Sequence, residues 1–371
     1  MAKIKKLKAG EKALVVNIHN GYGQTEYDQN EIQELSKSAG FDISKIIDVK
    51  VISPNPAFFI GKGKVDEIKQ LKQLLQFKYL IINTEISPAQ EKKLNDVLKV
   101  VIIDRTNLIL NIFSQRAKSY EGRLQIELAQ LEYLSTRLVR GWTHLERQKG
   151  GIGVRGGPGE KQIELDRRML RTQVKQLKEK LKKLTKQRDM QRQRRKKSGV
   201  FTVAIVGYTN AGKSTLFNEL TKQKIYAADQ LFATLDTTSR KLFIQPQTSL
   251  VISDTVGFIK NLPTNLIESF KSTLEEATNS DLLLHVIDST NSERKEHIVQ
   301  VNRILKEIHA DEIPQILILN QIDKNQTKPQ KDVDGYGRIN RIELSSKTGE
   351  GIEFLREALV QQSELFTNLT N

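Results

Sequence analysis

Short apolar runs alternate with segments of helical period along the first hundred residues. Ala13-Leu14-Val15-Val16-Asn17-Ile18, Ile46 to Ile52, Tyr79-Leu80-Ile81-Ile82 and Val100-Val101-Ile102-Ile103 read as strands. Glu31 to Ala39 sets Ile32 and Leu35 on one face and stops at Gly40, and Val65 to Leu75 has apolar residues at 65, 68, 71, 74 and 75. Both read as helices. Ser87-Pro88 offers the cap and first position of a third. This alternation predicts a parallel sheet in an α/β domain over residues 1–114. Phe58-Phe59-Ile60-Gly61-Lys62-Gly63-Lys64 lies between a strand and a helix, and suits a tight turn with solvated lysines better than a phosphate site.

The pattern changes after that domain. Gln115 to Arg140 reads as one helix, with Leu124, Leu128, Leu131 and Leu138 at spacings of 4, 3 and 7. A second runs from about Glu160 to Lys197, where Leu170, Val174, Leu177, Leu181 and Leu184 follow a heptad seam. Each stripe is narrow and needs a partner. An antiparallel two-helix coiled coil over residues 115–198 is the economical solution. Its tip, Lys149 to Gly159, has 6 glycines in 11 residues. That exceeds what a hairpin needs, and predicts a mobile tip or a backbone that presses close to a partner.

Alternation resumes in a third domain, residues 199–365, with 366–371 as a short tail. Val200 to Val206 reads as a buried strand and Thr215 to Leu220 as a helix. Between them stands Gly207-Tyr208-Thr209-Asn210-Ala211-Gly212-Lys213-Ser214, the Gly-x4-Gly-Lys-Ser pattern of a phosphate-binding loop. There, backbone N–H groups and the helix N-terminus converge on phosphate oxygens. Lys213 is expected to reach the β- and γ-phosphates, and Ser214 to bind Mg²⁺. Leu250-Val251-Ile252-Ser253 leads into Asp254-Thr255-Val256-Gly257, 41 residues after Lys213. A carboxylate there holds Mg²⁺ through water, and the Gly257 N–H can bond the γ-phosphate. Ile316 to Leu319 leads into Asn320-Gln321-Ile322-Asp323, which resembles the Asn-Lys-x-Asp base-reading motif. The Asp323 carboxylate can accept from guanine N1–H and N2–H₂, a donor pair adenine lacks. Ser345-Ser346-Lys347 would complete that pocket through backbone N–H. Gln321 stands where lysine is usual, so weaker affinity with unchanged specificity is expected. Ile225 to Arg240 suits a loop that orders when a threonine binds Mg²⁺, and Thr234, Thr237 and Thr238 are all chemically able. A P-loop GTPase fold follows, a mostly parallel sheet with helices on both faces. GTP and GDP are the expected ligands.

Composition narrows the partners. The chain has 371 residues and no cysteine, which excludes disulfides and thiolate metal sites. No apolar run reaches the roughly 20 residues of a membrane span, and Met1 to Lys6 is basic without a following apolar segment. A soluble cytoplasmic monomer is the expectation. From Lys161 to Ser198 there are 16 Lys and Arg against 4 Asp and Glu, so net +12 of the chain's +15 sits in one segment. A polyanion is implied, nucleic acid first. With Arg147, Lys149 and Arg155 beside the glycines, the tip suits insertion into folded RNA.

Leu231-Phe232-Ala233-Thr234-Leu235-Asp236, Asp254 to Phe258 and Gly150 to Arg168 resemble the HflX family of ribosome-associated GTPases. So do Phe59 to Lys64, Asp104-Arg105-Thr106 and Ser119 to Leu131, and the likeness spans most of the chain. The resemblance implies that Thr234 is the switch-loop Mg²⁺ ligand, that Lys213, Thr234 and Gly257 serve catalysis, and that Thr215 joins residues 207 to 214 in holding the nucleotide. It implies binding to the large (50S) ribosomal subunit and its rRNA, a ribosome-splitting or rescue role, and a glycine tip directed toward the peptidyl-transferase region. The sequence departs from the family at Gln321, at Lys161 and at Thr237, and a C-terminal domain of many relatives is missing or reduced. Phe258 occupies the position where many GTPases place a water-orienting glutamine, so slow intrinsic turnover is expected, with the ribosome supplying the missing group. Asn210 resembles the asparagine of potassium-activated GTPases, which implies K⁺ near the phosphates. The competing reading is an RNA-binding or tRNA-modification GTPase that does not act on whole ribosomes. A modification enzyme would want a catalytic cysteine or a pterin- or flavin-type site, and neither is visible.

Overall fold

The computed structural model of the chain describes residues 10–19, 25–141, 158–197, 199–222, 231–232, 234–235, 237–245, 248–260 and 271–370. Most of the glycine tip (149–157), Ala233 and Asp236 lie outside them, as do the side chains of Arg192 to Lys197. The chain divides into two compact units, Met1–Gln115 with Arg123–Lys180, and Arg116–Gly122 with Leu181–Asn371.

The first unit opens as a βα alternation: β1 (Lys12–His19), α1 (Thr25–Ser38), β2 (Asp42–Lys50), α2 (Lys62–Leu75), β3 (Tyr79–Ile82), α3 (Pro88–Leu98), β4 (Val101–Ile103) and α4 (Arg105–Arg116). The four strands are parallel in the order β2-β1-β3-β4. Their apolar runs are buried, Leu14, Val16, Leu80 and Ile82 packing with Val65 and Ile68 of α2 and Leu94 of α3. Ser87 caps α3 in a reciprocal box with Gln90, and Pro88 takes the first helical position, where its missing N–H costs nothing.

One sequence expectation fails here. Gln115 to Arg140 is not a single helix: α4 ends at Arg116, and α5 (Tyr120–Gly141) begins after a break. Ser119 makes the restart, its hydroxyl accepting the Gly122 N–H at 2.9 Å. Most of α4 carried no helical signal because Leu108, Ile109, Leu110, Asn111, Ile112 and Phe113 are all buried. A helix enclosed on every side has no polar face to set a period. The long basic helix, α6 (Pro158–Lys197), follows. Within the first unit Lys178 of α6 pairs with Glu132 of α5 at 2.8 Å. At the end of β4, buried Asp104 accepts from the Asn107 N–H at 2.8 Å, from the Tyr133 hydroxyl at 3.0 Å and from Arg137, which also pairs with Glu91.

The second unit adds β5 (Thr202–Gly207), α7 (Lys213–Thr221), β6 (Thr238–Gln245), β7 (Thr248–Asp254), α8 (Lys271–Thr278), β8 (Leu282–Asp288), α9 (Arg294–Glu307), β9 (Gln315–Asn320), α10 (Ile322–Asn325), β10 (Gln330–Val333), β11 (Ile339–Glu343) and α11 (Ile352–Thr370). Its seven strands run in the order β10-β11-β9-β8-β5-β7-β6, and only the edge strands β10 and β6 pair antiparallel to their neighbours. Strand β5 is interior and parallel to both neighbours. Val203 and Ile205 face one core with Leu216 and Phe217 of α7 and Leu355 of α11. Ala204 and Val206 face the other, with Leu274 of α8 and Val301 of α9. Covered on both faces, β5 reads as a continuous apolar run rather than an alternation. The loops at the carboxyl ends of β5, β7 and β9 therefore open on one edge of the sheet, where such folds bind ligands. Among the described residues no helix is long and apolar enough to cross a membrane.

Candidate nucleotide site

The phosphate-binding loop begins where β5 meets its neighbour too closely for a side chain. Gly207 has φ +146°, and a Cβ there would run into the Val286 carbonyl of β8. The loop ends at Gly212, φ +90°, whose added Cβ would strike the Asn320 amide. Gly212 caps α7 with no side-chain hydrogen bond, so the first N–H groups of that helix are left to an anion.

Two buried charges flank the start of α7. The Lys213 ammonium donates to the Tyr208 carbonyl at 2.7 Å, and burial pushes its pKa down to about 8 although Asp254 opposes the shift. Asp254, at the end of β7, is completely buried. One of its oxygens accepts from Ser214 at 2.7 Å and from Thr234 at 3.0 Å, and the two hydroxyls lie 2.6 Å apart. Its other oxygen, Oδ1, has no partner among the described residues. Burial pushes the carboxyl up, against the Ser214 bond and the Lys213 charge. A buried cation and a half-satisfied carboxylate are costly by themselves, and phosphate with a divalent cation would relieve both. The donors are hard oxygens, the set that Mg²⁺ takes alongside substrate phosphates. No cluster of three His, Cys, Asp or Glu side chains exists among the described residues to form a cage.

The segment after Asp254 is fastened to the loop. Thr209 N–H donates to the Phe258 carbonyl at 2.7 Å, and Phe258 N–H donates to the Gly207 carbonyl at 3.1 Å. A Cβ on Gly257 would lie 2.7 Å from Thr209 Cγ2 and 3.0 Å from Lys213 Nζ. The Phe258 ring is buried with Ala204, Val206 and Leu274, so it faces a core and has no group to orient water.

At the far end, Asn320 is fully buried at the tip of β9. It donates to the Ala211 carbonyl at 2.9 Å and accepts the Ser346 N–H at 2.9 Å, bridging three loops. Gln321, φ +69°, donates to the Asn210 carbonyl at 3.1 Å. Asp323 accepts the Ser345 hydroxyl at 2.6 Å.

These elements enclose a cavity of ≈ 300 Å³ that runs from Lys213, Ser214 and Thr234 to Asp323, Ser346 and Lys347. Thr209, Asn210, Gly212, Thr215, Phe232, Thr255, Gly257, Asn320 and Gln321 also line it. Gly207, Tyr208, Ala211, Leu235, Val256, Ile322, Ser345 and Asp254 are buried and do not line it. Sequence reasoning missed Lys324, which lines the cavity beside Asp323. It also missed His297 of α9, whose ring stacks on Tyr208 at 3.8 Å and 4°. Neither carries a local signal, because one is an ordinary surface residue type and the other lies 89 positions from its partner.

Residues 26–114 match the family described as GTP-binding GTPase N-terminal, residues 116–195 the GTP-binding GTPase Middle Region, and residues 202–321 the 50S ribosome-binding GTPase. The chain is 48% identical over 355 residues to GTPase HflX of Escherichia coli K12, an alignment covering 95% of this chain and 83% of the relative. It is 47% identical over 356 residues to GTPase HflX of Caldanaerobacter subterraneus subsp. tengcongensis, covering 96% and 81%. Among solved structures it resembles the complex of SsGBP with GDP, at 26% identity and a TM-score of 0.51, covering 97% of this chain and 100% of that one. Relatives this similar, aligned across nearly the whole sequence, establish that the chain belongs to the HflX family of GTPases and is a P-loop enzyme that hydrolyses GTP.

Proposed function

We propose that the chain is a GTP-gated factor of the large ribosomal subunit. It docks on the 50S particle and its rRNA with GTP bound, acts in ribosome splitting or rescue, and leaves after hydrolysis to GDP and phosphate. The observation that carries this reading is the match of residues 202–321 to a family described as 50S ribosome-binding GTPase. The net +12 between Lys161 and Ser198 supports a polyanionic partner.

Lys213 and the N–H groups of the phosphate loop neutralise the β- and γ-phosphates, while the Gly257 N–H bonds the terminal one. The hydroxyls of Ser214 and Thr234, with Asp254 through water, would hold Mg²⁺, which would supply charge neutralisation on the phosphates. Asp323 reads the guanine N1–H and N2–H₂, held by Ser345, while Ser346 and Lys347 close the pocket. Asn210 contributes to a K⁺ site beside the phosphates, and equal hydrolysis rates in KCl and NaCl would remove that assignment. Because the Phe258 ring is buried, turnover without the ribosome is slow.

Sedimentation with purified 50S subunits tests the whole. A non-hydrolysable GTP analogue should carry the protein into the subunit fraction and GDP should not. Equal partitioning with both nucleotides, or none with either, sinks the reading.

A further inference from the structure

The Thr209 hydroxyl is a buried polar group to which no role has yet been assigned. Thr209 is 6% exposed, and its Oγ1 has no hydrogen-bond partner among the described residues. Leaving a buried hydroxyl without a partner is costly. The residue lines the phosphate end of the cavity. Its methyl carbon is the atom nearest the position of a Gly257 Cβ, at 2.7 Å, with Lys213 Nζ at 3.0 Å. A threonine has staggered wells about χ1. One step between them brings Oγ1 to the place the methyl holds, in the gap bounded by Gly257 and Lys213, while the methyl moves to the place of the hydrogen. The backbone around it is already held, since the Thr209 N–H donates to the Phe258 carbonyl at 2.7 Å.

We infer that the Thr209 hydroxyl positions the water that attacks GTP, in place of the side chain that Phe258 cannot provide. This rests on the nucleotide orientation given above. The hydroxyl accepts a hydrogen bond from the water and turns a water lone pair toward the γ-phosphorus. The water oxygen bonds to phosphorus as the bond to the β–γ bridging oxygen breaks. The bridging oxygen leaves with GDP, one water proton stays on the released phosphate, and the other passes to solvent. Other candidates are committed: the Thr234 hydroxyl is bonded to Asp254 and Ser214, and the Phe258 ring lies in the core.

The test compares Thr209→Val, which keeps the shape and loses the hydroxyl, with Thr209→Ser, which keeps the hydroxyl and loses the methyl. Single-turnover GTP hydrolysis and the affinity for fluorescent GDP are measured for each in the full chain. Thr209→Val should lose about 10²-fold in rate, with GDP affinity within about twofold of the parent, and Thr209→Ser should recover most of that rate. A valine variant as fast as the parent overturns the inference. So does an equal loss in both variants, or a loss matched by weaker GDP binding, since each is the mark of packing. If Thr209→Val does not fold, Thr209→Ala with parental thermal stability in GDP must show the same loss. A parent protein that fails to bind or hydrolyse GTP would instead defeat the orientation on which the inference rests.

Discussion

The Ser345 hydroxyl donates to the Asp323 carboxylate at 2.6 Å, and thereby fixes one of its two oxygens. Asp323→Asn turns an acceptor pair into a donor and an acceptor, so GTP affinity should fall by at least about 10²-fold. Ser345→Ala only frees the carboxylate to rotate, and should cost about 1 kcal/mol, or roughly fivefold. Competition between GTP and ATP measured by calorimetry checks both. Unaltered preference in Asp323→Asn would show that the base is read elsewhere.

Lys213 makes nucleotide affinity depend on pH. In the free protein, burial holds its pKa at about 8, below the ordinary 10.5. Phosphates favour the charged form, so binding above pH 8 takes up a proton. The dissociation constant for GDP should be flat from pH 6.5 to 8 and rise about tenfold per unit above it. Titration at pH 9 in two buffers of different ionisation enthalpy should reveal the proton, and its absence would contradict the assignment. The same group acts oppositely on the free fold. Its folded value lies below its unfolded one, so the burial penalty is fully present below pH 8 and eases as pH rises toward 10.5.

In the first unit, Arg137 is the cation that accompanies buried Asp104. Arg137→Met strands that carboxylate and should destabilise by about 3–5 kcal/mol at neutral pH. Burial already pushes the Asp104 carboxyl up against the pull of Arg137. Without the guanidinium it protonates more readily, so the deficit should shrink as pH falls. Adding Asp104→Asn should return most of the loss. Urea unfolding at pH 5 and 7.5 would measure it, and a deficit unchanged by pH would rule out the stranded charge.

Replacing the five cations among Arg192 to Lys197 with glutamine removes charge from the end of α6. If they meet rRNA, the dependence of log affinity on log salt for 50S binding should flatten by about 0.7–0.9 for each phosphate no longer neutralised. GDP binding should not move. Measurement between 50 and 200 mM KCl decides this, and a slope equal to the parent's would place the RNA-binding surface elsewhere.

How much of this could be read from the amino acids depends on how local each feature is. The Gly207 to Ser214 loop, Asp254-Thr255-Val256-Gly257 and Asn320 to Asp323 each stand at a strand end, and the short apolar runs before them announced the strands. Their meeting in one cavity follows from parallel neighbours opening on one sheet edge. What stayed hidden is long-range or featureless. Asn320 ties to Ala211 across 109 positions, the Asp104 and Arg137 pair spans 33, and α4 buries polar and apolar residues alike, which blurs any period. The break before Tyr120 had only Ser119 as its signal, inside what looked like a continuing helix.

Gly207, Thr209 and Phe258 are joined through main-chain atoms alone. Displacement at residue 258 therefore pulls on the phosphate loop whatever side chain stands there. Substitutions at that position can alter how tightly the ring seats in the core without severing the mechanical linkage. The coupling between residue 258 and the phosphate loop therefore survives any change of side chain there that leaves the backbone in place.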